Sequence, residues 1–159
     1  MGTDKALLRY KGEPLAKRTA MTLAAAGCSP VSLVGNQPSL LDLGYPVFRE
    51  PPGAPHPLNG IAAVFTQHRG LALFVPCDLP HLRPETLRLL LDVGAPCVAE
   101  GQPLLCVLDE RFAAEALSLA RSGGKVRALV SGLPTIAVPP EDLTNVNTPG
   151  EFEAAQQPR

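Results

Sequence analysis

Asp78 has the setting of a ligand-holding carboxylate. It follows the apolar run Leu71-Ala72-Leu73-Phe74-Val75 and stands between Pro76 and Pro80. An unbroken apolar run of that length suits a strand buried on both faces, as in the middle of a parallel sheet. Open α/β sheets collect ligands in the crevice at the carboxyl ends of their strands. A carboxylate there offers the hard oxygen that Mg²⁺ takes, and it can hold the ion against a nucleotide phosphate. An aspartate that caps the following helix gives the same pattern, and the residues by themselves leave both readings open.

Other polar residues fall just after expected strands: Asn36, Glu50, Asn145 and Asn147. Their gathering on one sheet edge is the functional signal, since singly each residue type is an ordinary turn former. His56, His68 and His81 have no carboxylate or cysteine at ligand spacing and read as structural or surface residues. Cys28, Cys77, Cys97 and Cys106 form no CxxC pair, which removes zinc-ribbon and thioredoxin readings. With no secretion signal, they are expected to be reduced thiols of a cytoplasmic protein.

The elements that must position these residues alternate along the chain. Pro14 opens a helix and Gly27 closes it, with Ala16, Ala20 and Leu23 on one apolar face. Val31 to Val34 and Tyr45 to Phe48 read as strands. The Pro-rich segment 51–58 reads as a loop, and Asn59 as the cap of a helix reaching Gln67. After the Asp78 strand come a helix from Pro84, strands at 95–98 and 104–108, and helices at 110–121 and 125–129. A strand at 135–138 and a last helix at 150–156 complete the series. Strands alternating with helices predict an α/β fold: a Rossmann-like three-layer sandwich, its sheet mostly parallel, with helices on both faces.

A chain of 159 residues suits one domain spanning 1–159. Its net charge is −1 with no basic block, which argues against a duplex nucleic-acid footprint. No apolar stretch approaches the ~18 residues needed to span a bilayer.

Four segments, in order, resemble a known pattern. They are Met1-Gly2-Thr3-Asp4-Lys5-Ala6-Leu7-Leu8 with Gly12-Glu13-Pro14-Leu15, then Pro57-Leu58-Asn59-Gly60-Ile61, Pro76-Cys77-Asp78-Leu79-Pro80 and Asn145-Val146-Asn147-Thr148-Pro149. Together they look like the molybdenum cofactor guanylyltransferases, MobA-like nucleotidyltransferases that attach GMP to molybdopterin, and the likeness spans nearly the whole chain. It implies the nucleotide-diphospho-sugar transferase type of Rossmann-like fold. It also implies a reaction in which a terminal phosphate of molybdopterin attacks the α-phosphorus of GTP. The products are the dinucleotide cofactor and pyrophosphate, with molybdoenzymes or their chaperones as downstream partners. Positioning and charge neutralisation carry such a transfer.

The resemblance also implies roles. Lys5 matches the loop lysine, a point charge for the triphosphate, and is paired with Asp78 as the catalytic set. Asp78 matches the Mg²⁺-binding aspartate, and Asn147 lies close to the same metal. Asn36 and Glu50 align with positions that contact the guanine nucleotide. Pro57, Leu58 and Gly60 resemble a loop beneath the nucleobase and ribose. Gln102-Pro103-Leu104 and Ser122 to Arg127 resemble segments on the pterin side, where Lys125 and Arg127 would hold the pterin phosphate.

The chain departs from the family at its start. There the family has an apolar strand, a Leu-Ala-Gly-Gly loop and an Arg-Met-Gly, and here Met1-Gly2 coincides with the last of these. The first strand, whose backbone would lie mid-sheet, is missing from the pattern. This reads as a start assigned at an internal methionine, or a truncated chain, with weak GTP binding expected of these 159 residues. Rival readings are a cytidylyltransferase on the same pterin and a sugar- or isoprenoid-phosphate nucleotidyltransferase. A different class is an inactive accessory protein that binds the pterin or a partner.

Overall fold

The computed structural model describes residues 4–53, 55–146 and 149–158. Asp4 caps a 3₁₀ turn, Lys5–Leu7, by accepting the Ala6 N–H at 3.1 Å. A tight hairpin follows, β1 (Arg9–Tyr10) and β2 (Glu13–Pro14). It turns through Lys11 and Gly12, at φ 49° and 88°, the left-handed pair that two-residue hairpins require. No local signal predicts this hairpin, because Lys11 is an unusual residue for that conformation.

The helix expected after Pro14 is α1 (Leu15–Ala25), and it buries Ala16 and Ala20. Strands β3 (Leu33–Val34) and β4 (Val47–Phe48) pair in parallel, shorter than expected at both places. Between them lies a 3₁₀ segment, Pro38–Leu43. Helix α2 (Pro57–Val64) leads into β5 (Ala72–Phe74), and α3 (Pro84–Leu91) follows. Strands β6 (Cys97–Ala99) and β7 (Gln102–Leu108) form a hairpin, with Gly101 at φ 82° in its turn. Helices α4 (Ala113–Arg121) and α5 (Val126–Val130), β8 (Thr135–Ile136) and α6 (Pro149–Gln156) complete the chain.

One sheet runs in the order β5-β7-β6-β8, and period-two alternation sends its side chains to two cores. Cys106 and Leu108 of β7, Val98 of β6 and Phe74 of β5 pack with α2, α4 and α5. Leu105, Val107, Cys97, Ala99 and Leu73 pack on the opposite face with α3 and Leu23 of α1. Helices on both faces of a sheet are the three layers that the alternation predicts. Within this sheet β7 runs antiparallel to both neighbours, while β6 and β8 are parallel. The direction of β7 follows from its two-residue connection to β6, too short for a crossover.

β3 and β4 form a second sheet, separate from the first. The connection from β4 to β5 passes through α2, whose start lies against Val34 at the end of β3. Its far end leads to His68, which bonds the Leu71 carbonyl before β5. Helix α2 thus runs opposite to both strands, and β3, β4 and β5 point the same way. A further tie closes the other layer. The Asp142 carboxylate, 1% exposed, accepts bonds from the Arg83 guanidinium at 2.9 Å and the Thr86 hydroxyl at 2.5 Å. Among the described residues no helix is long and apolar enough to cross a membrane.

Candidate active site

Asp78 leaves β5 through Val75, Pro76 and Cys77 and lies at the carboxyl end of the strand, as the apolar run predicted. It does not cap a helix: α3 begins at Pro84 and has no side-chain cap. Its Oδ1 is buried and has no hydrogen-bond partner among the described residues. Burial raises its pKa, while its own backbone N–H and the nearby Lys5 ammonium pull it back down. The structure therefore brings Lys5 and Asp78 together, from chain positions far apart.

Two contacts fix this corner. The Val146 N–H donates to the Asp78 carbonyl at 3.0 Å, which carries the Asn145-Val146 backbone to the aspartate. Asn147, the second expected metal ligand, lies outside the described residues. From the other side Arg18 of α1 donates Nε–H to the Pro80 carbonyl at 3.2 Å. Its guanidinium sits 4.9 Å from the centre of the buried Tyr10 ring, a cation–π contact. The Cys77 thiol is pushed up to about 11 by burial, and then by the charges of Asp78 and Asp4, so it stays a thiol at neutral pH.

Asp4, the neighbour of Lys5, joins the same corner. Its Oδ1 caps the 3₁₀ turn, and its Oδ2 is buried without a hydrogen-bond partner among the described residues. The sequence held a signal for it: an aspartate directly before a short helical turn is an N-cap.

The second group stands at the ends of β3 and β4. The Asn36 side-chain oxygen accepts the Glu50 N–H at 3.0 Å. Glu50 Oε2 in turn accepts the His56 N–H at 3.3 Å. His56 Nδ1 accepts the Leu58 N–H at 3.2 Å and so caps α2. The expected cap, Asn59, is inside the helix, because Pro57 presets the first-turn φ and starts α2 two residues earlier. Pro57, Leu58 and Gly60 are accordingly helix rather than loop. Pro57 and Gly60 reach the cavity wall, whereas Leu58 turns its side chain into the core. A Cβ on Gly60 would stand 2.8 Å from Val34 Cγ1 and 3.4 Å from Glu50 Oε1. The glycine serves helix-to-strand contact.

Both groups open on one cavity of about 700 Å³. Asp4, Cys77, Asn36, Glu50 and Gly60 line it, while Asp78 and Lys5 are chain neighbours of lining residues and do not line it themselves. A smaller hollow of about 250 Å³ is lined by Gln102, Pro103 and Arg127. The structure thus joins two of the segments expected on the pterin side, while Lys125 precedes α5 outside that hollow.

The donor set suits Mg²⁺. A buried carboxylate oxygen with no hydrogen-bond partner among the described residues can serve as a hard ligand, and Mg²⁺ commonly takes one or two carboxylates with water and substrate phosphates. Among the described residues no group of three or more His, Cys, Asp or Glu stands close enough together to hold a metal ion.

Residues 1–136 match the model of the MobA-like NTP transferase domain. The chain belongs to this family. It is 31% identical to a molybdenum cofactor guanylyltransferase of Xanthomonas euvesicatoria, over 96% of this chain and 85% of that protein. A molybdenum cofactor guanylyltransferase of Cupriavidus metallidurans is 27% identical, over 95% of this chain and 85% of its own length. Among solved structures, the molybdopterin-guanine dinucleotide biosynthesis protein A of Archaeoglobus fulgidus superposes with a TM-score of 0.73. That match covers 98% of this chain and 90% of the other at 19% identity, and it establishes the shared fold. This MobA-like chain is thus a member of a nucleotidyltransferase family with the Rossmann-like architecture of that family.

Proposed function

We propose that this MobA-like protein transfers GMP from GTP to molybdopterin and releases pyrophosphate. The single observation that supports the reading is the buried Oδ1 of Asp78, without a hydrogen-bond partner among the described residues, near Lys5 at the carboxyl end of β5. The relatives named molybdenum cofactor guanylyltransferase supply the substrates.

In this reading Lys5 supplies positive charge to the triphosphate, and the Asp78 carboxylate holds the divalent ion. When bound, Mg²⁺ neutralises charge on the triphosphate and the departing pyrophosphate. The Asn36–Glu50–His56 chain presents the Glu50 carboxylate toward the start of α2. Oε2 is held by the His56 N–H, and the carboxylate so fixed accepts the N1–H and N2–H₂ edge of guanine, a pattern that cytosine lacks. Arg18 and the Val146 N–H keep the Asp78 loop in place. Catalysis then rests on positioning and charge stabilisation.

The test is pyrophosphate release from Mg-GTP in the presence of molybdopterin, with CTP as competitor. Asp78→Asn is expected to lower turnover by about two orders of magnitude or more with the fold intact. Lys5→Ala is expected to raise the KM for GTP as well. Glu50→Gln is expected to narrow the preference for GTP over CTP. Asp78→Asn turnover within about twofold of the parent overturns the metal role. Equal use of GTP and CTP by the parent overturns the guanylyl reading.

A further inference from the structure

Separate stretches of chain meet at the Asp78 corner, and one aromatic ring joins them. Tyr10 ends β1 and is 2% exposed. Its ring packs edge-on with His81, centroids 5.8 Å apart and planes at 84°. It packs the same way with Phe152 of α6, at 6.3 Å and 73°. The Arg18 guanidinium of α1 lies 4.9 Å from the ring centre, and the Lys11 ammonium 5.5 Å from it. Edge contacts with other rings and cations over the face are the arrangements that an aromatic quadrupole favours.

Each of these neighbours stands a short way along the chain from the site. Lys5 belongs to the 3₁₀ turn that runs into β1. That turn is held by the Leu8 N–H on the Lys5 carbonyl at 3.2 Å, and by the Leu15 N–H on the Leu8 carbonyl at 2.9 Å. His81 closely follows Asp78, and Arg18 grips the stretch between them through the Pro80 carbonyl. Helix α6 comes shortly after Val146, whose N–H bonds the Asp78 carbonyl. β1 pairs with β2 in a sheet of two strands, and Asp78 and Val146 lie outside the described strands. Among the described residues no sheet ladder therefore sets Lys5 against Asp78, and side-chain packing has to do so.

We propose that Tyr10 is a positioning residue of this site: its ring holds the Lys5 turn, the Asp78 loop and α6 in register with one another. The inference rests on the guanylyl reading for what that register serves, while the register itself needs no substrate. Tyr10 acts through its neighbours. Arg18 spans from the ring face to the Pro80 carbonyl, and His81 leans on the ring edge. An aliphatic side chain would fill the space but give Arg18 no flat face and His81 and Phe152 no ring to pack on. Transfer by positioning is sensitive to such a loss, since a misplacement of about 1 Å can cost ~100-fold in rate.

The test compares Tyr10→Leu with Tyr10→Phe in the full chain, by amide hydrogen exchange and by pyrophosphate release from Mg-GTP with molybdopterin. Tyr10→Phe keeps the ring and is expected to stay within about twofold of the parent in both. Tyr10→Leu is expected to speed exchange of the Val146 N–H about tenfold more than that of Cys106 and Val107 in β7. It is expected to lower kcat about tenfold, with the KM for GTP within about twofold, because the Glu50 group lies away from the ring. Arg18→Met removes the cation over the ring and the bond to Pro80. It is expected to shift Val146 in the same direction, a second reading should Tyr10→Leu fold poorly. Unchanged exchange at Val146 overturns the proposal. Equal or greater acceleration at Cys106 and Val107 does so too, as the mark of a ring that only stabilises the fold. So does a Tyr10→Phe protein as impaired as Tyr10→Leu. The expected exchange pattern in a parent that does not turn over GTP upholds the register and overturns the guanylyl reading alone.

Discussion

At the residue scale, the chemistry of the site depends on Asp78 being a poorly solvated carboxylate. Its folded pKa lies above the ordinary value, with burial as the main cause. An acid shifted upward keeps its proton longer in the native state, so stability is greatest below the unfolded pKa. It declines as pH rises through the folded pKa. The ionised side chain therefore costs stability at neutral pH, and a bound cation offsets that cost. Asp78→Asn is expected to raise the thermal midpoint near pH ~7 without Mg²⁺, with the difference vanishing near pH ~3. Added Mg²⁺ is expected to stabilise the parent and leave the variant unchanged, by mass action on the native state. Scanning calorimetry of both proteins across pH checks this, and a variant less stable than the parent at neutral pH contradicts it. Asp142 is shifted the other way. Burial pushes its pKa up, but the bonds from Arg83 and Thr86 outweigh that and hold it below the ordinary value.

At the element scale, α2 is the hinge between the two groups of site residues. Its residues Leu58, Ile61, Ala62 and Ala63 are all buried, as suits a helix pressed between α4 and the site. Gly60 permits that approach to β3 at Val34. Alanine has the better helix propensity by about 1 kcal/mol, yet its Cβ would lie 2.8 Å from a Val34 methyl. Valine has little χ1 freedom with which to yield. Gly60→Ala is thus expected to lose stability despite the propensity gain. Adding Val34→Ala is expected to restore it to the parent level or above. Urea denaturation of the two single variants and the double variant measures the coupling. Additive behaviour would show that the contact does not decide the cost.

At the scale of the whole molecule, the sheet is divided. β7 is seven residues long, with neighbours on both sides, while β3 and β4 have two residues each and only one another. Two-stranded pairs of that size are marginal by themselves. Native-state amide exchange is expected to show Leu33 and Gly35 opening at far lower free energy than Cys106 and Val107. Similar protection in both regions would show that the two sheets open as one unit. The same division places the Asn36–Glu50 group on the part expected to open first and the Asp78 strand on the part expected to open last.

The sequence by itself determined the order and type of most elements, because apolar periodicity is a local property read within a few residues. The helix between Pro14 and Gly27, the α3 start at Pro84 and the two central strands all follow from it. Asp78 was legible for the same reason, as a polar residue closing a buried run. Only the tertiary structure decided that Lys5 and the Val146 N–H meet Asp78, and that Asp4 has a buried oxygen there without a partner among the described residues. It alone decided that His56 rather than Asn59 caps α2, and that Gly60 answers to Val34. It alone opened the edge of β5 to a cavity where the sequence expected burial on both faces. Burial, strand neighbours and unpaired polar atoms are set by segments distant in the chain, and no local pattern contains them.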